Sequence, residues 1–426
     1  MLDVDEVNWG GDVAIIGLGR VGLPLALSFA DHGLRVIGVD KDGRRLATVR
    51  AGRMPFKETG TQELLDRVNA KGNLTLTDRV ADAGAAQHIV ITIGTPSFSH
   101  IEIDIRDIRA ALDELLPALR RGASLILRST VAPGTTEFVA GYVAKRTGLR
   151  AGRDFYVAHA PERIAEGRFL TEIHSLPCIV GGVDDMSSER VVQLFEVFGT
   201  EMLRTTAVAA ELAKIWTNIL RYTKFALPNL LMMNCEQYDA NVFEVIDLIN
   251  RDYPRGGMAL PGFTAGTCLR KDFAFSEERS NAPGMLLAVS RVNESVPLFV
   301  VQGVRRRLGT LNGKKVAVLG LTFKRDSDDD RDSLSYKLIR FLERELADIA
   351  VHDPFLPQQS APYEDAVASA DVIIVATNHS AYSDTAALNT ILMVARPDCL
   401  IVDVWNAFGT GQVFSYAAEV AAVTAA

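Results

Sequence analysis

The sequence predicts an α/β protein in which two parallel-sheet domains are joined by a long central helix. Three observations predict it. Short apolar runs alternate with helical patterns in the first half of the chain, and the alternation resumes after about Gly313. The first apolar run, "VAII", opens directly into a glycine-rich turn, "GLGRVG". Between the halves, the stretch Ala207 to Tyr238 has apolar residues every three to four positions and no glycine. Domain bounds accordingly fall at 1–205, 206–305 and 306–426.

In the first unit a buried strand is expected for "VAII", then a turn with Gly17, Gly19 and Gly22 spaced GxGxxG. A helix to about His32 and a second strand, "RVIGVD", ending on Asp40, complete the unit. In that context Gly17 permits the tight turn, Gly19 admits a pyrophosphate close to the backbone, and Gly22 lets the helix pack on the strand. The helix N-terminus offers N–H groups to the phosphates. Asp40 can accept hydrogen bonds from a ribose 2′-hydroxyl and would repel a 2′-phosphate, so the unit is Rossmann-like and favours NAD over NADP. Arg45 either flanks the adenine end or is a solvated helix residue. Later strands end at "GTPS", at Ser129-Thr130 and at "APERIAEG". They deliver Thr95, Pro96, Thr130, Glu162 and Glu166 to the carboxyl edge of the sheet, where ligands of parallel sheets gather. The alternative for the two glutamates is a solvated loop.

The central helix carries Pro228, whose ring should kink it. Lys214 and Asn218 are four apart and share a face, either a solvated stripe or one wall of a site. The apolar length of this helix also suits a homodimer contact. Further on, "GTCLRKD" (Gly266 to Asp272) reads as a loop-like stretch with Cys268 four residues before Asp272. A lone cysteine is either a small buried hydrophobe or a nucleophile. The last third repeats strand, turn and helix without GxGxxG. Its turn, "FKRDSDDDRDS", offers Lys324, Arg325 and Arg331 as cations for a phosphorylated ligand. The acidic run Asp326 to Asp330 is otherwise a solvated loop. Two Rossmann-like domains, one for NAD and one with cations at a strand end, point to a dehydrogenase of a nucleotide-bearing substrate.

Composition narrows the classes. With 426 residues, 48% hydrophobic and 23% charged, the chain has core enough for two or three domains. Its net charge of −8 is spread along the sequence, and no basic stripe offers a nucleic-acid footprint. Cys178, Cys235, Cys268 and Cys399 lie far apart with no CxxC, which excludes a zinc module and fits a reducing, cytoplasmic setting. The N-terminal "MLDVDEVNWGGD" lacks the apolar core of a signal peptide. No apolar run reaches the roughly 18 residues of a membrane span.

Taken in order, "GLGRVGLPLALSFA", "GTPS", "STVAPGTTE", "APERIAEG", "ELAKIWTN", "GTCLRKD", "LGLTFKRDSDDDRDS" and "ADVIIVATNH" resemble the nucleotide-sugar 6-dehydrogenases. "IWTNILRYTKFAL" and "DYPR" are more similar to the UDP-N-acetylhexosamine branch (UDP-GlcNAc, UDP-ManNAc) than to the UDP-glucose branch. The resemblance implies oxidation of a sugar C6 alcohol to a carboxylate with two NAD molecules. Cys268 matches the family's nucleophile, Asp272 the aspartate that follows it, and Lys214 and Asn218 the lysine and asparagine of the helix. Thr130 and Glu162 match residues that order water for hydrolysis, with Glu166 on the rim. By the same resemblance Arg20, Val21, Lys271 and Arg331 join the cofactor side. Arg163, Ile164, Phe263, Gly266, Phe323 and Lys324 line the substrate, and Arg255 is an arginine supplied across the dimer. The chain departs from the family at "GFTAG", at "KETG", at Asn229-Leu230 and at Trp405 in "DVWNAF", which leaves the choice among UDP-sugars open.

Two rivals remain at this stage. A two-electron β-hydroxyacid-type dehydrogenase shares the fold and a Lys-x-x-x-Asn pair, but explains neither Cys268 nor the domain after Gly313. A non-catalytic protein on the same fold leaves the set Lys214, Asn218, Cys268 and Asp272 without a purpose.

Overall fold

The computed structural model describes residues 9–424 apart from 96, 99–101, 104, 265 and 278–283. Pro96, expected at the cofactor edge, lies outside the described residues. The fold is α/β, with two parallel-dominated sheets and a long helix linking them. Two compact units divide inside that helix, between Thr217 and Asn218.

The first sheet is built from β1 (Gly11–Ile16), β2 (Val36–Val39), β3 (Leu74–Thr77) and β4 (Ala86–Ile91). A small antiparallel hairpin, β5 (Ser97–Phe98) with β6 (Glu102–Ile103), stands outside it. Four further strands, β7 (Ser124–Leu127), β8 (Tyr156–His159), β9 (Cys178–Gly182) and β10 (Met202–Thr206), extend it. Their order is β10-β9-β8-β7-β4-β1-β2-β3, parallel throughout except between β8 and β9. Helices cover both faces, so the central strands are buried on two sides and read as unbroken apolar runs such as "SLIL". Two hydrophobic clusters, one around Leu23, Phe29 and Phe195, the other around Ile89, Leu112 and Val143, flank the sheet. Between β1 and β4 the winding reverses, and the open crevice at such a switch point is where this architecture takes ligands.

The second sheet has β11 (Lys315–Leu319), β12 (Asp348–His352), β13 (Val372–Val375), β14 (Leu400–Val402) and β15 (Phe414–Tyr416). The order is β12-β11-β13-β14-β15, with only the β14–β15 pair antiparallel. Its switch point lies between β11 and β13, flanked by the loops that carry Lys324 and His379.

The central helix runs Ala207–Gln237 with Pro228 inside it. The segment "TCLRKD" is helical, the opening of a helix over Thr267–Glu277, and corrects the loop expected there. Gly266 adopts φ +97°, a left-handed turn that L-residues avoid, and so sets up the helix start. Phe273 is buried and stacks on Tyr222 of the central helix at 6.3 Å, a packing gain that a reading of local sequence does not register. Among the described residues no helix is long and apolar enough to cross a membrane.

Candidate active site

In the first unit the glycine turn is fixed by sterics. Gly17 sits at φ +99°, and its N–H donates to the Val39 carbonyl at 2.8 Å. A Cβ on Gly22, the first residue of the helix Gly22–Asp31, would lie 1.8 Å from the Gly17 oxygen and 2.5 Å from Thr92 Oγ1. Only glycine fits there. A Cβ on Gly19 would meet nothing within 4 Å, so its backbone faces open space. Arg20 and Val21 complete the turn, with Val21 as the N-cap residue. A cavity of about 410 Å³ opens beside it, lined by Gly17, Gly19, Asp40, Arg45 and Thr92 among others.

Asp40, at the end of β2, is nearly buried. Its Oδ2 accepts the Leu18 N–H at 2.7 Å and Arg45 Nη1 at 2.6 Å, and Oδ1 accepts the Asp42 N–H at 2.8 Å. Arg45 is therefore an ion-pair partner on the cavity wall rather than a solvated residue. The open backbone at Gly19, the helix N-terminus and the anchored carboxylate fit the pyrophosphate and adenosine ribose of NAD.

The segment after β8 is pinned from several sides. Glu162 accepts the N–H groups of Arg163 and Ile164 at 2.7 and 2.8 Å and pairs with Arg128 at 2.6 Å. Glu166 pairs with Arg20 at 2.8 Å, joining this segment to the glycine turn. Glu58, from the unusual "KETG", accepts the Gly167 and Phe169 N–H groups at 2.8 and 2.9 Å. The Arg163 guanidinium donates to the Pro177 carbonyl. Thr95 Oγ1 donates to the Thr130 carbonyl at 2.6 Å, tying two strand ends together. Lys214, on the central helix, is buried, and its charge together with that of Arg128 acts on buried His159. Burial above all, and then those two cations, hold the His159 imidazole down to about 3.

In the second unit Asn218 and Asp272 meet. Asn218 Nδ2 donates to Asp272 Oδ2 at 2.6 Å, both residues buried. Cys268 is exposed in the first turn of the helix Thr267–Glu277, where the macrodipole favours an anionic thiolate. Lys271 lies on the same helix, half-buried. The other thiols are sequestered: burial pushes those of Cys178, Cys235 and Cys399 up, the last to about 12.

The loop before Cys268 is held by its surroundings. Asn229 brackets Gly262, accepting its N–H at 2.8 Å and donating to its carbonyl at 3.0 Å, and also bonds Asn293. A Cβ on Gly262 would fall 2.3 Å from the Trp405 ring, and one on Gly266 would fall 2.6 Å from the Phe323 ring. Phe263, expected at the substrate, buries its side chain in the core of this unit. Arg255 is exposed, and its guanidinium lies 4.7 Å from the Tyr253 ring centroid.

At the second switch point, His379 Nδ1 accepts the Asp326 N–H at 2.9 Å. Its Nε2 therefore carries the proton and faces Asp353 Oδ2 at 3.2 Å and Thr322 Oγ1 at 3.1 Å. Asp353 also accepts the N–H groups of Leu321, Thr322 and Phe355. Burial pushes its carboxyl up, but these bonds outweigh that and hold it below the usual range. This network fixes the turn that carries Phe323 and Lys324. Asp326 pairs with Ser380, and Arg331 chelates Asp329 at 2.5 and 2.8 Å, so the acidic run is a structured element. Asp353 stands after β12 as Asp40 stands after β2, and its acceptors hold the turn after β11.

An NAD pocket on one doubly wound sheet, followed in the chain by a second sheet of the same kind, is the arrangement of a two-domain NAD-dependent oxidoreductase. Comparison with known proteins narrows the class. The chain matches the NAD binding domain of the UDP-glucose/GDP-mannose dehydrogenase family over residues 11–199, its central domain over 208–295 and its UDP binding domain over 317–410. The UDP-N-acetyl-D-mannosamine dehydrogenase of Pyrococcus horikoshii is 33% identical over 374 residues, 86% of this chain and 89% of that one. The solved structure of UDP-D-ManNAc dehydrogenase from Pyrococcus horikoshii superposes with TM-score 0.85 at 31% identity, over 90% of this chain and 93% of that one. A UDP-glucose dehydrogenase from Pyrobaculum islandicum gives TM-score 0.80 at 29% identity, over 88% and 91% of the two chains. The chain belongs to the UDP-glucose/GDP-mannose dehydrogenase family.

Sequence reading passed over Arg128, Glu211, Asn293 and the His379–Asp353 pair. Only Arg128 left a local signal, a lone charge closing the apolar strand "SLIL".

Proposed function

We propose that this dehydrogenase oxidises the C6 hydroxyl of a UDP-N-acetylhexosamine, UDP-ManNAc or UDP-GlcNAc, to the uronate in a four-electron reaction through Cys268. The observation that carries the proposal is the exposed thiol at a helix N-terminus, on the helix whose Asp272 is bonded to Asn218. NAD, when bound at the glycine turn, supplies the hydride acceptor for both oxidations. Lys214 and Asp272 hold the water that takes the proton of the C6 hydroxyl. The Cys268 thiolate adds to the aldehyde carbon, and Lys214 and Asn218 hold the oxygen that becomes anionic. Oxidation leaves a thioester on Cys268, which water ordered at Thr130 and Glu162 hydrolyses to uronate and free thiolate. Phe323, Lys324 and the Arg163-Ile164 segment take the UDP-sugar, and Arg331 and Lys271 serve the cofactor side. Working bounds for the parts are 1–205 for NAD, 206–305 for the central helices and 306–426 for UDP.

UDP-glucose or UDP-GalNAc is the second reading of the substrate, favoured by the 0.80 TM-score to a UDP-glucose dehydrogenase and by the altered "GFTAG" loop. The test is NADH formed per limiting UDP-GlcNAc, UDP-ManNAc, UDP-GalNAc and UDP-glucose, assayed in parallel. Two NADH per sugar with an acetylated substrate supports the proposal. One NADH per sugar removes the thioester from it, and turnover of UDP-glucose alone moves the substrate. The enzyme is further proposed to be a cytoplasmic homodimer through the central helix, where Leu212, Trp216, Leu220, Leu227 and Leu230 form an exposed apolar row.

A further inference from the structure

Cys268 and Arg270 stand two apart on the helix Thr267–Glu277, which puts them about 200° apart around its axis, on opposite faces. Cys268 is on the exposed side. Arg270 turns into its own unit, with its side chain 26% exposed. Its Nε donates to Glu294 Oε1 at 2.5 Å, and Nη1 donates to the Asp332 carbonyl at 3.0 Å. Glu294, on the helix Met285–Leu308, is held in turn by Lys337, whose Nζ donates to its Oε2 and to its carbonyl, both at 2.8 Å. Lys337 belongs to the helix Leu334–Arg344, which begins just after the turn "FKRDSDDDRDS". Asp332 closes that turn at φ +55°, a left-handed conformation that is unfavourable for an L-residue unless its surroundings hold it. Its carbonyl also accepts the Gly266 N–H, at 3.5 Å, and within the turn the Phe323 N–H donates to the Asp329 carbonyl at 3.0 Å.

The helix of Cys268 is thus anchored twice. Its second turn is joined to the central helix, through Asp272 on Asn218 and Phe273 on Tyr222. Its start is joined to the turn of Phe323 and Lys324, through Arg270 and Gly266. Cys268 lies at that start. We infer that Arg270 is the positioning residue for Cys268: from the far face of the helix it sets where the thiol stands relative to a sugar whose nucleotide is held at the Phe323–Lys324 turn. Glu294 and Lys337 fix the direction of its guanidinium. The inference rests on the reading proposed above, in which Cys268 is the nucleophile and this turn takes UDP. Arg270 touches neither sugar nor nucleotide and acts through the helix backbone. Because Asp272 is anchored separately, loosening Arg270 slows the second oxidation, which needs the thiol, and spares the first.

The test is single-turnover kinetics on the full chain for wild type, Arg270→Met, Glu294→Leu and Cys268→Ser, with NAD in excess and the fastest-turning of the four UDP-sugars. Methionine keeps the apolar stem of Arg270 and removes its donors. NADH absorbance reports the two oxidations in sequence, and calorimetry gives the affinity for UDP alone. In Arg270→Met the first NADH should form within about 3-fold of the wild-type rate while the second slows by about 10²-fold. UDP affinity should stay within about 3-fold. Glu294→Leu, on another helix, should slow the second step and spare the first in the same way. Equal slowing of both steps in Arg270→Met overturns the inference, because the whole fold or Asp272 has then moved. A second step at the wild-type rate overturns it as well. UDP affinity weakened as much as the second step would make Arg270 a nucleotide contact and also overturn it. Cys268→Ser separates the two levels: a second NADH formed there at the wild-type rate sinks the reading of Cys268 itself. Should Arg270→Met fail to fold, Arg270→Lys keeps the charge but not the paired donors. Its second step should then lie between wild type and Glu294→Leu, and an unchanged second step in both would count against the inference.

Discussion

Cys268 is exposed, whereas Cys235 and Cys399 are buried and Cys178 is half-buried. Its expected role is checked by Cys268→Ser, for which uronate formation should drop by about 10³-fold or more while NAD affinity stays near wild type. Loss of NAD affinity to the same extent would mean a structural cysteine. At the other pocket Gly22 is set by distance alone, with 1.8 Å between an added Cβ and the Gly17 oxygen. Gly22→Ala should displace the turn, cost about 1–3 kcal/mol and weaken NAD binding at least about 10-fold. Isothermal titration with NAD checks it, and unchanged affinity would show that the turn can give way.

At the scale of elements, one buried carboxylate ties the central helix to the helix Thr135–Thr147. Glu211 is fully buried and accepts the Gly134 and Thr136 N–H groups at 2.6 and 2.8 Å and Thr136 Oγ1 at 2.5 Å. Burial pushes its carboxyl up, against the pull of those donors. Glu211→Ala strands three donors, the two on Thr136 buried, so a loss of about 1–3 kcal/mol is expected in the denaturation of the first unit. A midpoint equal to wild type in urea would contradict this. These contacts explain why element boundaries were less legible than element types. The apolar runs "VAII" and "SLIL" announce strands by themselves, whereas the helix after Gly266 gains its stability from Phe273 on Tyr222, residues 51 positions apart by their numbers.

Across the whole molecule, buried His159 and half-buried His88 each contribute to acid stability. Burial, with Arg190 beside it, holds His88 down to about 4, and His159 is held down to about 3, against an ordinary 6.5. Both are depressed, so their contribution is fully present above pH 6.5 and is lost as pH falls toward 4 and then 3. Thermal midpoints should therefore decline steadily below about pH 6.5, and His88→Gln should make the decline shallower. Parallel curves for the two proteins would refute it. The apolar row on the central helix belongs to the same scale. Trp216→Glu should convert the expected dimer to monomer in sedimentation equilibrium, while a monomeric wild type would remove the dimer and the role of Arg255 with it.

The sequence by itself determined the fold class, the NAD pocket and the membership of Cys268, Lys214, Asn218 and Asp272 in one ordered set of motifs. The first two depend on short-range rules, glycine at close approach and a carboxylate at a strand end, whereas the set of four is what the family resemblance implies. Only the tertiary structure decided that "TCLRKD" is helical and that Arg45 is paired to Asp40 rather than solvated. It also decided that Phe263 belongs to a core and that Arg128 pairs with Glu162. Those outcomes depend on partners distant in sequence, and a buried donor or acceptor is settled only when folding supplies the group that meets it.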